Sequence, residues 1–347
     1  MKKLNCLRLC KKLLLVFLVV ISMQSCAQGQ KLNTTCIAFY NLENMYDTID
    51  DPRIDDADFL PSGNYNWTEA RYQAKLSNMA KVISGLGAEF VAGGPSVIGL
   101  AEVENRGVLE DLINTPMLRD KGYRIIHYNS PDERGIDVAL LYKSNDFKVS
   151  NTTSNRLVIP EQKDFHTRDQ LVVTGELDGE KISVIVNHWP SRRSGPEYRK
   201  EAARLCRHLS DSLMREDKNA RILIMGDMND DPADSSVFDV LGAKGLRENL
   251  RKGELFNPMW MIHHNGRGTL TYRDNWNLFD QIIVSQALLS KKAKGWKLDH
   301  ADICNEKFLF EQEGKYAGNP FRTYAGRKYL GGYSDHLPVF LILNKQN

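Results

Sequence analysis

Cysteine is scarce in this 347-residue chain, with six in all. Downstream of Cys26 only Cys36, Cys206 and Cys304 remain, far apart and odd in number. That scatter excludes a thiolate zinc site and a disulfide framework, and leaves buried thiols as the expectation. Internal repeats, low-complexity tracts and a second linker are also missing, so nothing divides the chain beyond its N-terminal segment. Long apolar runs are missing too. The most apolar stretch, Leu13 to Met23, falls short of the roughly 20 residues that a spanning helix needs.

What that stretch does have is a context. "MKKLNCLRLCKK" places five basic residues and no acidic one ahead of it, and a small-residue segment ending in Cys26 follows. This is the layout of a secretory signal, with an uncleaved anchor helix as the alternative. Ser25-Cys26 resembles a bacterial lipoprotein processing site, which implies that Cys26 is lipidated and is the first mature residue. The expected organisation is a signal peptide over 1–25, a polar tether over 26–33 and one domain over 34–347. A lipid anchor would tether an exported domain to a membrane, facing the periplasm or the cell surface, without burying any of the fold. Losing the leader also alters the charge. Of 46 basic and 44 acidic residues, five basic and no acidic ones lie in the leader, leaving 41 against 44. No global positive field remains to gather a polyanion, so one has to be held by local arginines and a bound cation.

From residue 34 onward, short apolar strands alternate with amphipathic helices. "TTCIAFYNLEN" reads as a strand with a polar tip. "DTIDDPRIDDADFLPSGNYNW" reads as a solvated acidic loop, because its carboxylates lack the regular spacing of a calcium site. Thr68 caps a helix whose Tyr72, Leu76, Met79, Ile83 and Leu86 form a core-facing stripe, stopped by Gly87. A second helix is expected from Gly107 to Leu118. A third runs from Glu197 to Met214, with Ala202, Leu205, Leu209 and Leu213 inward. "SVIGLAEVEN", "YRIIHY", "IDVALLY", "DQLVVTGEL", "KISVIVNHW", "RILIMGD", "LFDQIIVS" and "LPVFLIL" read as strands. Strands outnumber helices and several are joined by short turns, which points to mixed or antiparallel sheets in an α+β fold. Two sheets packed face to face, with helices on their outer sides, accommodate these nearly continuous apolar strands.

Polar residues recur at the strand ends. Asn41 and Glu43 end the first strand, and Glu102 ends "SVIGLAE". Asn187 and His188 end "KISVIVNH", while Asp227 and Asn229 end "RILIMGDMN". Asp280 opens "FDQIIVS", and Ser334, Asp335 and His336 precede "LPVFLIL". Each alone has a plain structural explanation: a Gly-Asp pair after a strand is usually a turn, and Asp-His commonly marks a solvated loop. Their recurrence in order is harder to explain that way. Strand ends along one edge of a sandwich can converge on one cleft, where a cation offsets the repulsion between carboxylates.

Together, "FYNLEN", "GLAEVEN", "RGIDVALLY", "HTRDQL", "VNHWPSR", "GDMNDDP", "FDQIIVS" and "SDHLPV" give the chain its resemblance to the endonuclease/exonuclease/phosphatase superfamily, over about residues 34 to 344. That group contains deoxyribonuclease I, abasic-site endonucleases, inositol-polyphosphate phosphatases and neutral sphingomyelinases. The resemblance implies a four-layer α/β/β/α sandwich of two mixed β-sheets flanked by helices. It also implies hydrolysis of a phosphate ester by metal-activated water.

On that resemblance Glu102 is the principal metal ligand, with Asn41, Glu43 and Asp335 completing the shell; Glu43 stands where the family often has aspartate. Oxygen and amide donors without cysteine suit Mg²⁺ or Mn²⁺. Asp227 would activate the water and Asn229 would hold a phosphoryl oxygen. His336 and Asp280 match a paired histidine and aspartate, and His188 would sit opposite and help the leaving oxygen depart. Arg168 matches a phosphate-contacting arginine, and Arg134 is a second phosphate clamp or a surface ion pair. Arg192 and Arg193 either track a nucleic-acid backbone or form a solvated face. No serine or cysteine nucleophile has a partner base, which argues against a covalent phospho-enzyme. The expected function is that of a monomeric, exported DNA or RNA nuclease. The alternatives are a phosphatase or sphingomyelinase-like phospholipid phosphodiesterase and, more remotely, an inactive surface-binding protein.

Overall fold

The computed structural model describes residues 32–251, 253–290 and 294–346. The leader, the lipidation site Cys26 and residues 26–31 of the tether lie outside the described residues. In chain order the strands are β1 (Leu32–Met45), β2 (Val97–Val103), β3 (Tyr123–His127), β4 (Asp137–Lys143), β5 (Phe147–Asn155), β6 (Gln170–Leu177), β7 (Glu180–His188) and β8 (Arg221–Asp227). Two short pieces follow, β9 (Ala243–Lys244) and β10 (Leu255–Phe256). Next come a hairpin of β11 (Leu270–Tyr272) and β12 (Asn275–Asn277), then β13 (Asp280–Ser285) and β14 (Gly295–Ile303). A second small hairpin, β15 (Tyr324–Ala325) and β16 (Lys328–Tyr329), precedes β17 (Val339–Gln346).

Two sheets dominate, in the orders β14-β17-β1-β2-β4-β3 and β5-β6-β7-β8-β13-β10-β9. Both are mixed: β1 pairs with β2, and β7 with β8, in parallel, while β17, β4, β6 and β13 join them antiparallel. The sheets pack face to face. Leu223 and Met225 of β8 join the layer shared with Phe39 and Leu100, whereas Ile222 and Ile224 face outward onto Ala202, Ala203 and Cys206 of the Pro196–Glu216 helix. Burial on both faces is why these strands are apolar at every position. The Glu69–Gly85 and Arg106–Asn114 helices add their apolar stripes to the core on the other side, which completes the four layers. The sheets approach closely at Gly99, where a Cβ would stand 2.6 Å from Met225 Sδ, so Gly99→Ala requires the Met225 side chain to shift.

Several elements depart from the sequence reading. Strands β5 and β14 were not anticipated. Both are sheet edges, where one side of the ladder is free and polar residues are tolerated, so their sequences lack an apolar run. The second helix stops at Asn114 rather than Leu118, because Thr115 precedes Pro116 and is held extended with ψ 153°. In the third helix the fully buried row is Arg199, Ala202, Ala203, Cys206 and Ser210, and Leu205, Leu209 and Leu213 are only half-buried. Arg199 turns inward because its Nε meets Asp230 Oδ1 at 2.8 Å. The acidic loop is solvated along much of its length, with Asp50, Asp55 and Asp58 exposed, but it is pinned where Asp56 is buried and where Phe59 stacks on Tyr46 and Tyr65 with ring centroids 4.4 and 4.7 Å away.

Among the described residues the cysteines are free, with Cys36 and Cys206 buried and Cys304 half-buried. No helix among the described residues is long and apolar enough to cross a membrane.

Candidate active site

The site is the end layer of the sandwich core. Register places His188 of β7 opposite Asp227 of β8, and Asp280 of β13 opposite Asp227 on its other side. Because strand side chains alternate, these three point the same way as Val186, Met225 and Ile282, toward the opposite sheet. Where the apolar layer ends, a row of three ionisable groups begins. Gly226 lets the strands stay close there, since a Cβ would run into the carbonyl oxygen of Asn187.

The facing sheet supplies its residues through irregularity. The β1–β2 register shifts between Asn41 and Met45, and the β2–β4 register shifts between Ala101 and Val103, a bulge that re-aims Glu102. Glu43, Glu102 and Asn229 all hold left-handed backbone, with φ of 53°, 60° and 50°. Such conformations cost on the order of 1–3 kcal/mol each for residues other than glycine, and persist where surroundings over-determine them. Here the side chains do so. The Asn44 N–H donates to Glu102 Oε2 at 2.8 Å, the Glu43 N–H to Asn41 Oδ1 at 3.0 Å, and the Asn229 N–H to Asp227 Oδ1 at 2.9 Å.

Asp227 is the hub. Its Oδ2 accepts from Asn41 Nδ2 at 3.1 Å and lies 3.6 Å from His188 Nε2 and 3.9 Å from His336 Nε2. His336 Nδ1 donates to the fully buried Asp280 at 2.7 Å, and His336 Nε2 stands 4.0 Å from Asp335 Oδ1. His188 Nε2 lies 3.9 Å from Glu102 Oε1. Burial pushes the Asp227 carboxyl up to about 7, with His336 pulling against it and Asp280 adding to it. Burial pulls the His336 imidazole down, but the Asp280 and Asp227 carboxylates outweigh it and hold its pKa well above the usual value. His188 has carboxylates only at 3.6 and 3.9 Å from its Nε2 and no hydrogen bond to its Nδ1. Burial, then the charges of Arg168, Arg134 and His336, keep it well below the usual histidine value. At neutral pH the site therefore carries one charged and one neutral imidazole.

Glu43 sits at the margin. Its Oε2 accepts from the Thr323 N–H at 2.7 Å and lies 3.8 Å from the ammonium of Lys75. Burial and Asp335 raise its pKa to about 7 against the pull of Lys75. Asp335 also meets Arg322, with Nη2 at 3.6 Å from Oδ2. Arg168, expected on the phosphate, also lines the catalytic cleft and is 7 % exposed; three of its five N–H groups are engaged, Nη1 donating to Asp132 at 2.9 Å, Nη2 to the Trp189 carbonyl at 2.6 Å and Nε to the His188 carbonyl at 3.2 Å. It braces the His188 strand end. Arg134 keeps a half-exposed side chain, 3.8 Å from Asp132, and lines a cleft of about 480 Å³ with Glu102, His188, Asp227, Asn229 and His336. Arg193 lines this cleft too, whereas Arg192 is tied to Asp231 and Asp234 at 3.0 and 2.9 Å. So of the "GDMNDDP" carboxylates only Asp227 faces the cleft; Asp230 and Asp231 hold arginines.

Asp132, one of the acidic residues open to pairing with the two arginines, anchors Arg168. One contributor escaped the sequence reading. Lys75 donates to Thr323 Oγ1 at 2.6 Å and to the Tyr333 carbonyl at 2.5 Å. The signal for it was present: a lysine at position 75 falls within the stripe of Tyr72, Leu76 and Met79, where the helix faces the core.

Among the described residues, Asp227, Asp280 and His336 are the group whose ligand atoms lie close enough together to hold a metal ion. The 2.7 Å Asp280–His336 hydrogen bond instead marks this trio as a proton-handling cluster. Glu43, Glu102 and Asp335, which the family resemblance implies as metal ligands together with Asn41, do not form such a close group among the described residues.

Fold and site define an enzyme that hydrolyses phosphoesters. The profile described as "Endonuclease/Exonuclease/phosphatase family" matches residues 36–345, and the chain belongs to that family. No curated protein matches the sequence. Among solved structures it resembles D. rerio TDP2 complexed with single-strand DNA product, at 14 % identity and TM-score 0.55, over 90 % of this chain and 100 % of that one. It is likewise similar to an endonuclease/exonuclease/phosphatase family protein from Bacteroides thetaiotaomicron, at 16 % identity and TM-score 0.56, over 91 % and 99 % of the two chains. A mannosyl-6-phosphatase from the same organism aligns at 16 % identity and TM-score 0.54, over 89 % and 99 %.

Proposed function

We propose that this protein is an exported, divalent-metal-dependent phosphodiesterase acting on DNA or RNA, anchored to a membrane through lipidated Cys26. The observation that carries the chemistry is the convergence of His188, Asp227 and His336 within 4 Å contacts at the floor of one cleft. The donors of Asn41, Glu43, Glu102 and Asp335 are oxygens, which fits Mg²⁺ or Mn²⁺ rather than a thiophilic ion. When bound, such an ion stabilises negative charge on the phosphoryl oxygens.

Asp227 takes the proton of the attacking water. A pKa of about 7 suits a base working near neutral pH, because it balances availability against proton affinity. Asn229 Nδ2 donates one hydrogen to the Trp189 carbonyl at 3.0 Å and offers the other to a phosphoryl oxygen. His336, held charged by Asp280, stabilises the crowded phosphate and can supply a proton. His188, held neutral, contacts the phosphate through hydrogen bonding alone, so help for the leaving oxygen falls to His336. Arg134, half-exposed at the cleft, and Arg168 beside it act as the phosphate clamps. The rate enhancement then rests on positioning and charge stabilisation.

The likeness to TDP2 bound to single-strand DNA product supports the nuclease reading. The likeness to a mannosyl-6-phosphatase favours a second one, a phosphatase working on a phosphomonoester. Plasmid DNA, RNA, sphingomyelin and inositol phosphates, assayed side by side with Mg²⁺, separate them. Turnover of lipid or monoester with nucleic acid left intact rejects the nuclease.

A further inference from the structure

A second groove, of about 600 Å³, lies between the β11–β12 hairpin tip and the segment 311–330. It shares no lining residue with the catalytic cleft, and Asp335 bridges the two. One Asp335 oxygen lies 4.0 Å from His336 Nε2, which lines the cleft. The other lies 3.6 Å from Arg322 Nη2, which lines the groove. The reacting centre is thus flanked on two sides. A phosphomonoester has a substituent on one side of phosphorus only, whereas a diester has one on each.

The lining says what the second substituent is. Tyr272 is 62 % exposed and Tyr316 45 %, large rings that a folded surface gains nothing by leaving in water. Arg273 lies over the Tyr272 ring at 5.2 Å and Lys315 over the Tyr316 ring at 5.5 Å, with Arg322 as a third cation. Asp274 and Glu311 offset two of these charges, so the groove is not a general anion trap. Flat π faces interleaved with a few cations are what a single strand of nucleic acid requires: bases stack while phosphates meet the cations. The walls are preformed. Trp276 of the hairpin meets Phe310 at 6.4 Å, and the Glu311 N–H donates to the Asn319 carbonyl at 2.9 Å.

We infer that this groove is a strand-binding subsite, which takes the nucleotides adjoining the scissile phosphate on the Asp335 side. The assignment rests on the nuclease reading above. Its test is the variant Tyr272→Ala/Tyr316→Ala, assayed with Mg²⁺ on a labelled single-stranded hexanucleotide and on bis(p-nitrophenyl) phosphate, which is too small to reach the groove. Loss of a stacked base weakens binding about 5- to 150-fold. The hexanucleotide KM should therefore rise at least about tenfold, with kcat nearly unchanged. Unaltered turnover of the small diester shows that the variant is folded. Anisotropy of the hexanucleotide in EDTA should show the same loss without catalysis. A hexanucleotide KM equal to that of wild type, with wild type cleaving the strand, overturns the subsite and leaves the nuclease standing. A wild-type enzyme that cleaves the small diester but no oligonucleotide overturns the nuclease reading and the subsite with it.

Discussion

Replacing Lys75 with methionine tests how the metal-side residues are held. Lys75 is 1 % exposed, and its ammonium serves Thr323 Oγ1, the Tyr333 carbonyl and Glu43. Methionine keeps most of the stem and removes the charge, leaving Glu43 buried with the Thr323 N–H as its remaining donor. Removing one partner of a buried ion pair costs about 3–5 kcal/mol, because the other charge stays desolvated. In a domain of this size that lowers Tm by about 5–8 °C. The double variant Glu43→Gln/Lys75→Met should recover part of the loss, since no carboxylate is then stranded. The pH dependence has a definite sign. Glu43 has a folded pKa raised to about 7, so its contribution is fully present below the unfolded value and is lost as pH rises through about 7. Removing Lys75 raises that pKa further, so the deficit should be larger at pH 8 than at pH 5. Thermal and urea melts in EDTA measure all of this. A single variant within about 1 kcal/mol of wild type, or a double variant no more stable than the single one, refutes the reasoning.

Other expectations follow from the same geometry. Asp280→Asn removes the nearest carboxylate from His336, whose pKa then falls; kcat should drop about 10- to 100-fold, consistent with loss of a charge-assisted bond. That loss should be larger at pH 8 than at pH 6, and a uniform loss across a pH–rate profile counts against a charged His336. Arg168→Lys cannot span Asp132 and two carbonyls at once. It should lower kcat by about tenfold through misplacement of His188, whereas a rise in KM alone would make the phosphate contact the main role of Arg168. Burial pushes the Cys36 and Cys206 thiols up to about 12, so at pH 8 about one in ten thousand is thiolate. Iodoacetamide should label neither until the protein is unfolded, and rapid labelling of the native state, read by mass spectrometry, counts against their burial.

Much of the site was legible because its residues mark where apolar runs stop. Asn41, Glu102, His188, Asp227, Asp280 and His336 each end or open such a run, and short strands in a sandwich bring those ends to one edge. What the sequence withheld is pairing across distance. That His188, Asp227 and Asp280 share one row follows from register between strands that no local pattern specifies. Which acid Arg168 meets was likewise open, because Asp132 lies on another loop. Nor does local sequence show that Asp230 and Asp231, next to Asn229, serve Arg199 and Arg192 rather than the site. The edge strands β5 and β14 and the two small hairpins lack enough apolar residues to show a period.

The central claim is that one phosphorus, one hard cation and the strand-end carboxylates meet at Asp227. Its most direct test is the rate of single-stranded oligonucleotide hydrolysis as Mg²⁺ is titrated into metal-free wild type and into Asp227→Ala. The account predicts no wild-type turnover in EDTA, saturable recovery with Mg²⁺, and a variant slower by about 10²- to 10⁴-fold at every Mg²⁺ concentration. A variant as fast as wild type, or hydrolysis indifferent to EDTA, contradicts it.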